Sequence, residues 1–315
     1  MKIAVLDDYQ DVALGSAPWE QLPAGIAVER FTDHLDDVGA LAERLAGAQV
    51  VVTMRERTPI TAELMDRLPD LNLVTTTGMR NASIDLDAAR ERGVTVCGTQ
   101  KGTAAPAELA WALVMAVARE IPQNDRDVRA GVWQARMGID LAGSTIGLLG
   151  LGRLGQLMAG YASAFGMEVL AWSPHLTPER AVEHGAQLVS KEDLFRRSDI
   201  VSIHLKLADS TVGIVGAAEL DLLGPAGRLV NTSRGPLVDE SALVAALAEG
   251  KIAGAALDVY DVEPLPRDSP LLGVPNLILS PHIGFVTVEA HRLGYTQMLE
   301  GILAYLDGAP INVLT

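Results

Sequence analysis

Short strand-like runs and helix-like segments alternate along nearly the whole chain, and this alternation limits the possible folds more than any other feature. KIAVLDD, QVVVTM, LNLVTTT and VTVCG are separated by helix-like segments near 37–46, 61–68 and 85–92. A second series runs STIGLLGLG, MEVLAWS, DIVSIHLKL, GRLVNTSRG, AALDVYDVEP and NLILSPHIG. Its helices lie near 153–165, 191–197, 216–223 and 239–249. Strands that alternate with helices make βαβ units and therefore parallel sheets. The pattern predicts an α/β protein with two doubly wound, Rossmann-like units. Between the two series, residues 104–121 read AAPAELAWALVMAVAREI, apolar on nearly every face, which predicts a buried helix. Pro106 suits its first turn. A last long helix is expected over about 287–306.

The net charge of −15 argues against nucleic acid and anionic membranes as partners. The single cysteine, Cys97, excludes an intramolecular disulfide and a cysteine-cluster metal site. No histidines or carboxylates show metal-ligand spacing, so no metal is expected and a metal-dependent hydrolase is disfavoured. MKIAVLDD enters a strand pattern directly, with no basic and apolar leader, and no uncharged run is long enough to span a bilayer. A cytoplasmic enzyme or binding protein is the expectation.

TIGLLGLGRLGQLMAGYA places Gly150, Gly152 and Gly155 in G-x-G-x-x-G spacing between a strand and a helix. In that context the motif is a specific sign of dinucleotide binding. Gly150 allows the tight turn, Gly152 lets backbone approach a pyrophosphate, and Gly155 lets helix and strand pack closely. The amides of Arg153 and Leu154 then face an anion at a helix N-terminus. The acid that usually follows at the end of the next strand is absent, and Ser173 stands near that place. A neutral residue there does not repel a ribose 2′-phosphate, and Ser173 can donate to either a ribose hydroxyl or a phosphate as a cofactor-binding residue, although positive attraction is weak. Low discrimination between NAD and NADP is expected, with neither preferred more than about 100-fold.

Ligands of doubly wound sheets lie beyond the carboxyl ends of the strands. The polar residues there are Ser173, His204, Thr232-Ser233-Arg234-Gly235, Asp258, Asp261, Glu263 and His282. An arginine, a carboxylate and a histidine thus follow three consecutive strands. Histidine can give a proton to a carbonyl oxygen near neutral pH. A carboxylate beside it fixes the tautomer and favours the imidazolium. An arginine can hold a substrate carboxylate bidentately.

With GLGRLG, NTSRG, ALDVYDVEP and SPHIG in this order, the sequence resembles the D-isomer-specific 2-hydroxyacid dehydrogenases over essentially its whole length. The resemblance implies Arg234, Glu263 and His282 as catalytic residues, with Arg234 also binding the substrate carboxylate. It implies Asp258 at the nicotinamide carboxamide, and Thr232, His204 and Gly284 in the cofactor site. In TTTGMRNASID it points to Gly78 and Met79 as backbone donors to the substrate carboxylate, with Arg80 beside them for a further anionic group. The implied organisation is a cofactor domain, 100–286, inserted in a substrate domain made of 1–99 and 287–315. A homodimer through the cofactor domains, a small anionic 2-oxo or 2-hydroxy acid as substrate and hinge closure are implied with it. Three departures are Lys206, where many members have proline, Phe285, where a second small residue is common, and TTTGMRNASID, residues 75–85, which is longer than the usual family loop. The carboxylate at 263, in place of an amide, favours a 2-oxo acid over formate. The sequence ends soon after the last helix, so serine feedback through a C-terminal regulatory domain is not expected. The competing reading is a dinucleotide-sensing, corepressor-like protein without turnover. The complete Arg234, Glu263 and His282 set speaks against it.

Overall fold

The computed structural model describes residues 1–100 and 102–315. The chain divides into two compact units, Met1–Thr103 with Val286–Thr315, and Ala104–Phe285.

The first unit holds five parallel strands, Lys2–Val5 (β1), Ala27–Arg30 (β2), Val50–Thr53 (β3), Leu73–Thr76 (β4) and Thr95–Cys97 (β5). Their order is β2-β1-β3-β4-β5. β3 and β4 are buried at every position, as apolar runs in the middle of a parallel sheet should be. One face packs Leu6, Val51, Leu64, Val74, Ala89 and Val96 together. The helix Val288–Leu306 packs against β4 within the same unit. Short helices begin at side-chain caps: Asp37 accepts from the Ala40 amide, Thr61 from Leu64 and Asp85 from Ala88.

The second unit holds seven parallel strands, Thr145–Leu149 (β6), Glu168–Trp172 (β7), Gln187–Leu188 (β8), Ile200–Ile203 (β9), Arg228–Asn231 (β10), Gly254–Leu257 (β11) and Leu277–Leu279 (β12). Their order is β12-β11-β10-β9-β6-β7-β8, so the winding reverses between β6 and β9. Neighbouring residues of a strand point to opposite faces. Leu148, Val230 and Ala256 join one core with Val114 and Met158, while Leu149, Leu229 and Ala255 join the other with Phe195 and Leu243. Both faces are covered, which is why these strands read as continuous apolar runs rather than alternating ones. Burying each such Leu, Ile or Val is worth about 1.5–3 kcal/mol before entropy is counted. The helix Ala105–Ala118, with Pro106 in its first turn, buries Ala107, Ala110, Val114 and Val117. This bears out the two parallel α/β units.

The elements that the sequence did not announce are short or polar. Ala27–Arg30 is an exposed edge strand and Gln187–Leu188 has two residues. The helix Ile121–Arg129 is polar almost throughout and buries only Gln123, so no apolar period marks it. Among the described residues no helix is long and apolar enough to cross a membrane.

Candidate active site

The glycine loop connects β6 to the helix Arg153–Ala164. Its three glycines are required for different reasons. Gly150 has φ +111°, and a side chain there would come within 2.6 Å of the His204 carbonyl group. A side chain on Gly155 would run into the Gly150 carbonyl oxygen. Gly152 has ordinary extended backbone at φ −80°, and nothing lies within 4 Å of where its Cβ would be. No protein contact demands a glycine there, and the space it leaves fits a pyrophosphate. Gly152 is also the helix N-cap, and no side chain caps the first turn. Arg153 is exposed and Leu154 partly buried at the first helical positions.

This asymmetry separates packing from binding. Gly155→Ala is expected to destabilise the fold by about 1–3 kcal/mol through overpacking. Gly152→Ala is expected to cost no more than about 1 kcal/mol, the usual scale of an N-cap change, and to weaken NADH and NADPH binding at least tenfold, a loss of about 1.4 kcal/mol. Thermal melts beside calorimetric titrations check both. Native affinity in Gly152→Ala would show that no ligand uses that space.

β7 ends in a turn in which the Leu176 amide donates to the Ser173 carbonyl at 3.2 Å. The Ser173 side chain is partly buried, and no carboxylate stands at this strand end. His204 follows β9. Its Nε2 pairs with Ser202 Oγ at 2.9 Å, and its Nδ1 is buried without a partner among the described residues. Burial pushes this imidazole down to about 4, so it is neutral at physiological pH. His204 therefore backs the glycine loop with its main chain, while its ring turns to Ser202.

Arg234, Glu263 and His282 follow β10, β11 and β12, three adjacent strands whose ends are in register at Asn231, Leu257 and Leu279. Each is held by its own turn. Asn231 Nδ2 donates to the Arg234 carbonyl at 2.8 Å, and Asn231 Oδ1 accepts from the Ser233 amide at 3.0 Å. The Arg234 Nη1 donates to the Ser233 carbonyl at 2.7 Å. Gly235 leaves no room for a side chain, because a Cβ would meet the Tyr260 main chain. Thr232 is partly exposed on the same turn.

Glu263 joins two of these turns. Its Oε1 accepts from the Tyr260 amide at 2.9 Å, and its Oε2 is hydrogen-bonded to Nδ1 of His282. His282 adopts φ +52°, a left-handed conformation that is uncommon outside glycine and asparagine. Such strain persists only where the surroundings over-determine it. The buried Asp258 does this. It accepts from Ser280 Oγ at 2.6 Å, the Ile283 amide at 2.9 Å and the Gly284 amide at 2.9 Å. Burial raises the Asp258 carboxyl above its usual range, opposed by these hydrogen bonds and by the nearby His282. Tyr260 adds a bond from its hydroxyl to the Ser280 carbonyl at 2.8 Å. The Phe285 ring stands edge-on to the His282 ring, with centroids 5.9 Å apart. Sequence reasoning missed Ser280, Tyr260 and Asn231. The only local sign was their place in the same strand-end turns.

In the first unit, Gly78, Met79 and Arg80 follow β4. The Gly78 amide donates to Thr99 Oγ1 at 2.8 Å, and the Thr99 amide donates to the Gly78 carbonyl at 3.2 Å. Of the two backbone donors anticipated for a carboxylate, the Gly78 N–H is therefore already occupied. Met79 is 40% exposed, and Arg80 is exposed beside it. Asn81 braces this loop, donating to the Arg55 carbonyl at 2.6 Å and to Thr76 Oγ1 at 2.9 Å.

Residues 111–284 match the family model for the D-isomer specific 2-hydroxyacid dehydrogenase NAD binding domain. A glyoxylate reductase of Thermococcus litoralis is 37% identical over 281 residues, which span 86% of this chain and 84% of that one. A D-3-phosphoglycerate dehydrogenase of Archaeoglobus fulgidus is 38% identical over 264 residues, spanning 83% of this chain but only 50% of its own length. The chain thus covers about half of that longer relative. Among solved structures, a phosphoglycerate oxidoreductase of Vibrio cholerae superposes with TM-score 0.92 at 38% identity, covering 98% of this chain and 100% of that one. D-lactate dehydrogenase of Escherichia coli superposes with TM-score 0.87 at 26% identity, with both chains fully covered.

Proposed function

The chain belongs to the D-isomer specific 2-hydroxyacid dehydrogenase family, and on that premise we propose that it transfers hydride reversibly between NAD(H) or NADP(H) and a small 2-oxo or D-2-hydroxy acid. The observation that carries this reading is the Glu263–His282 pair, set on the same sheet edge as Arg234 and the glycine loop. Glu263 takes up Nδ1, which leaves Nε2 of His282 as the proton-transferring nitrogen.

A bound nicotinamide would supply the hydride to the carbonyl carbon. In the reduction direction, protonated His282 gives the Nε2 proton to the carbonyl oxygen as the C=O bond becomes C–OH. Glu263 holds the ring and balances the imidazolium charge. Arg234 grips the substrate carboxylate through its planar fork and draws charge from the adjacent carbonyl. Asp258 keeps the 280–284 turn, and hence His282, in its left-handed conformation, and its place in the cofactor half supports the role of meeting the carboxamide. Met79 and Arg80 are the substrate contacts proposed from the first unit.

The test is oxidation of NADH and NADPH with glyoxylate, hydroxypyruvate, pyruvate, phenylpyruvate and longer 2-oxo acids. Protein that binds cofactor but turns over none of them would sink the reading and favour a dinucleotide sensor. The relatives named glyoxylate reductase and D-3-phosphoglycerate dehydrogenase make short, polar 2-oxo acids the first choice.

A homodimer through the cofactor unit is part of the same proposal. Val132, Trp133 and Met137 are 46%, 76% and 91% exposed, and apolar side chains so exposed within one short stretch cost free energy in water. Trp133→Asp combined with Met137→Asp is expected to shift sedimentation from dimer to monomer with the fold retained. A monomeric wild type at micromolar concentration would overturn it.

A further inference from the structure

Lys206 lies on the chain that leaves β9, and none of the roles above uses it. This chain runs directly against the glycine loop. A side chain on Gly150 would be 2.6 Å from the His204 carbonyl group and 2.9 Å from the Leu205 nitrogen. β9 and β7 pair with β6 on opposite sides, since Leu149 is in register with both Ile203 and Trp172. The segments that leave these outer strands therefore flank the glycine loop. Their main chains start about 10 Å apart, two strand spacings.

One flank is Ser173-Pro174-His175, where no carboxylate stands. The other flank carries Lys206, which is exposed. Thr211 Oγ1 donates to the Lys206 carbonyl at 2.9 Å and accepts from the Ala208 amide at 2.8 Å, so the backbone of this segment is braced. Among the described residues the Lys206 ammonium has no ion-pair partner, although the exposed Asp209 follows three positions on. A dinucleotide that crosses the glycine loop places its adenosine half beside β7. A lysine opposite that half, on a flexible stem, can reach a phosphate on the ribose as a point charge.

We propose that Lys206 reads the adenosine 2′-phosphate and gives the chain a modest preference for NADP(H). This rests on the cofactor reading above and narrows it. Ser173 removes the repulsion that an acid would exert on that phosphate, and Lys206 supplies the attraction that Ser173 lacks. The contact is exposed, so its worth is limited to about five- to twentyfold in affinity, and it weakens as salt rises.

The experiment is calorimetric titration of the whole chain with 2′,5′-ADP and with 5′-AMP, which differ only in the 2′-phosphate. Lys206→Gln is expected to weaken 2′,5′-ADP about five- to twentyfold and 5′-AMP less than about twofold, with an unchanged melting temperature. Lys206→Glu is expected to weaken 2′,5′-ADP further, because attraction becomes repulsion. Equal losses for the two nucleotides would move Lys206 to the 5′-phosphate they share, and no loss for either would make it a solvated surface lysine. Both results overturn the proposal with the cofactor reading intact. A wild type that binds neither nucleotide removes the cofactor reading and this proposal together.

Discussion

His282→Ala is expected to lower kcat/KM for 2-oxo acid reduction by about 10²–10⁴-fold, the usual worth of a positioned general acid, while NADH and NADPH still bind. The reason is geometric. Hydride addition leaves charge on the carbonyl oxygen, and Nε2 of His282 is the ring nitrogen left over once Nδ1 is bonded to Glu263. Alanine removes the proton source and the left-handed histidine together, but it leaves the glycine loop untouched. Glu263→Gln separates charge from geometry. The amide keeps an acceptor for Nδ1 and loses the negative charge beside the ring that gives the proton. The kcat for reduction is therefore expected to fall by about tenfold with KM little changed. Steady-state kinetics on both variants check this. Full activity in His282→Ala would remove it from the chemistry, and a native kcat in Glu263→Gln would remove the carboxylate's electrostatic role.

Arg234→Lys is expected to lose about 2–4 kcal/mol of transition-state binding, roughly 30- to 700-fold in kcat/KM, despite the conserved charge. The turn around Arg234 is built to fix its direction. Asn231 clamps its carbonyl, Nη1 bonds the Ser233 carbonyl, and Gly235 lets the chain pass against Tyr260. A guanidinium meets a carboxylate as a planar fork, whereas an ammonium offers a point charge with no fixed plane. The loss should fall on both KM and kcat, because the same fork binds the substrate and polarises its carbonyl. Measuring kcat and KM for one good 2-oxo acid decides it. Near-native values for the lysine variant would refute the bidentate role.

How much could be read without coordinates differs from residue to residue. The glycine spacing and the strand-end positions of Arg234, Glu263 and His282 are visible in the sequence, because each is tied to a short local pattern. That Gly155 is jammed against Gly150 while Gly152 faces open space is not visible. Both are simply glycines in a motif, and their difference lies in what surrounds them. Gly78 shows the same limit. Its amide looked available for a substrate carboxylate, yet Thr99, 21 residues on, already accepts from it.

The sequence by itself determined the two parallel α/β units, the loop suited to a dinucleotide and the order of the polar strand ends. Strand and helix periods, and the backbone freedom of glycine, are properties of neighbouring residues. Only the tertiary structure decided how the site is held. Asp258 grips Ser280, Ile283 and Gly284 across 22 to 26 residues, Glu263 reaches His282 across 19, and the ring of His204 turns to Ser202. Hydrogen bonds and burial between residues distant in sequence carry no period. They come into being when adjacent parallel strands bring their carboxyl ends to one edge.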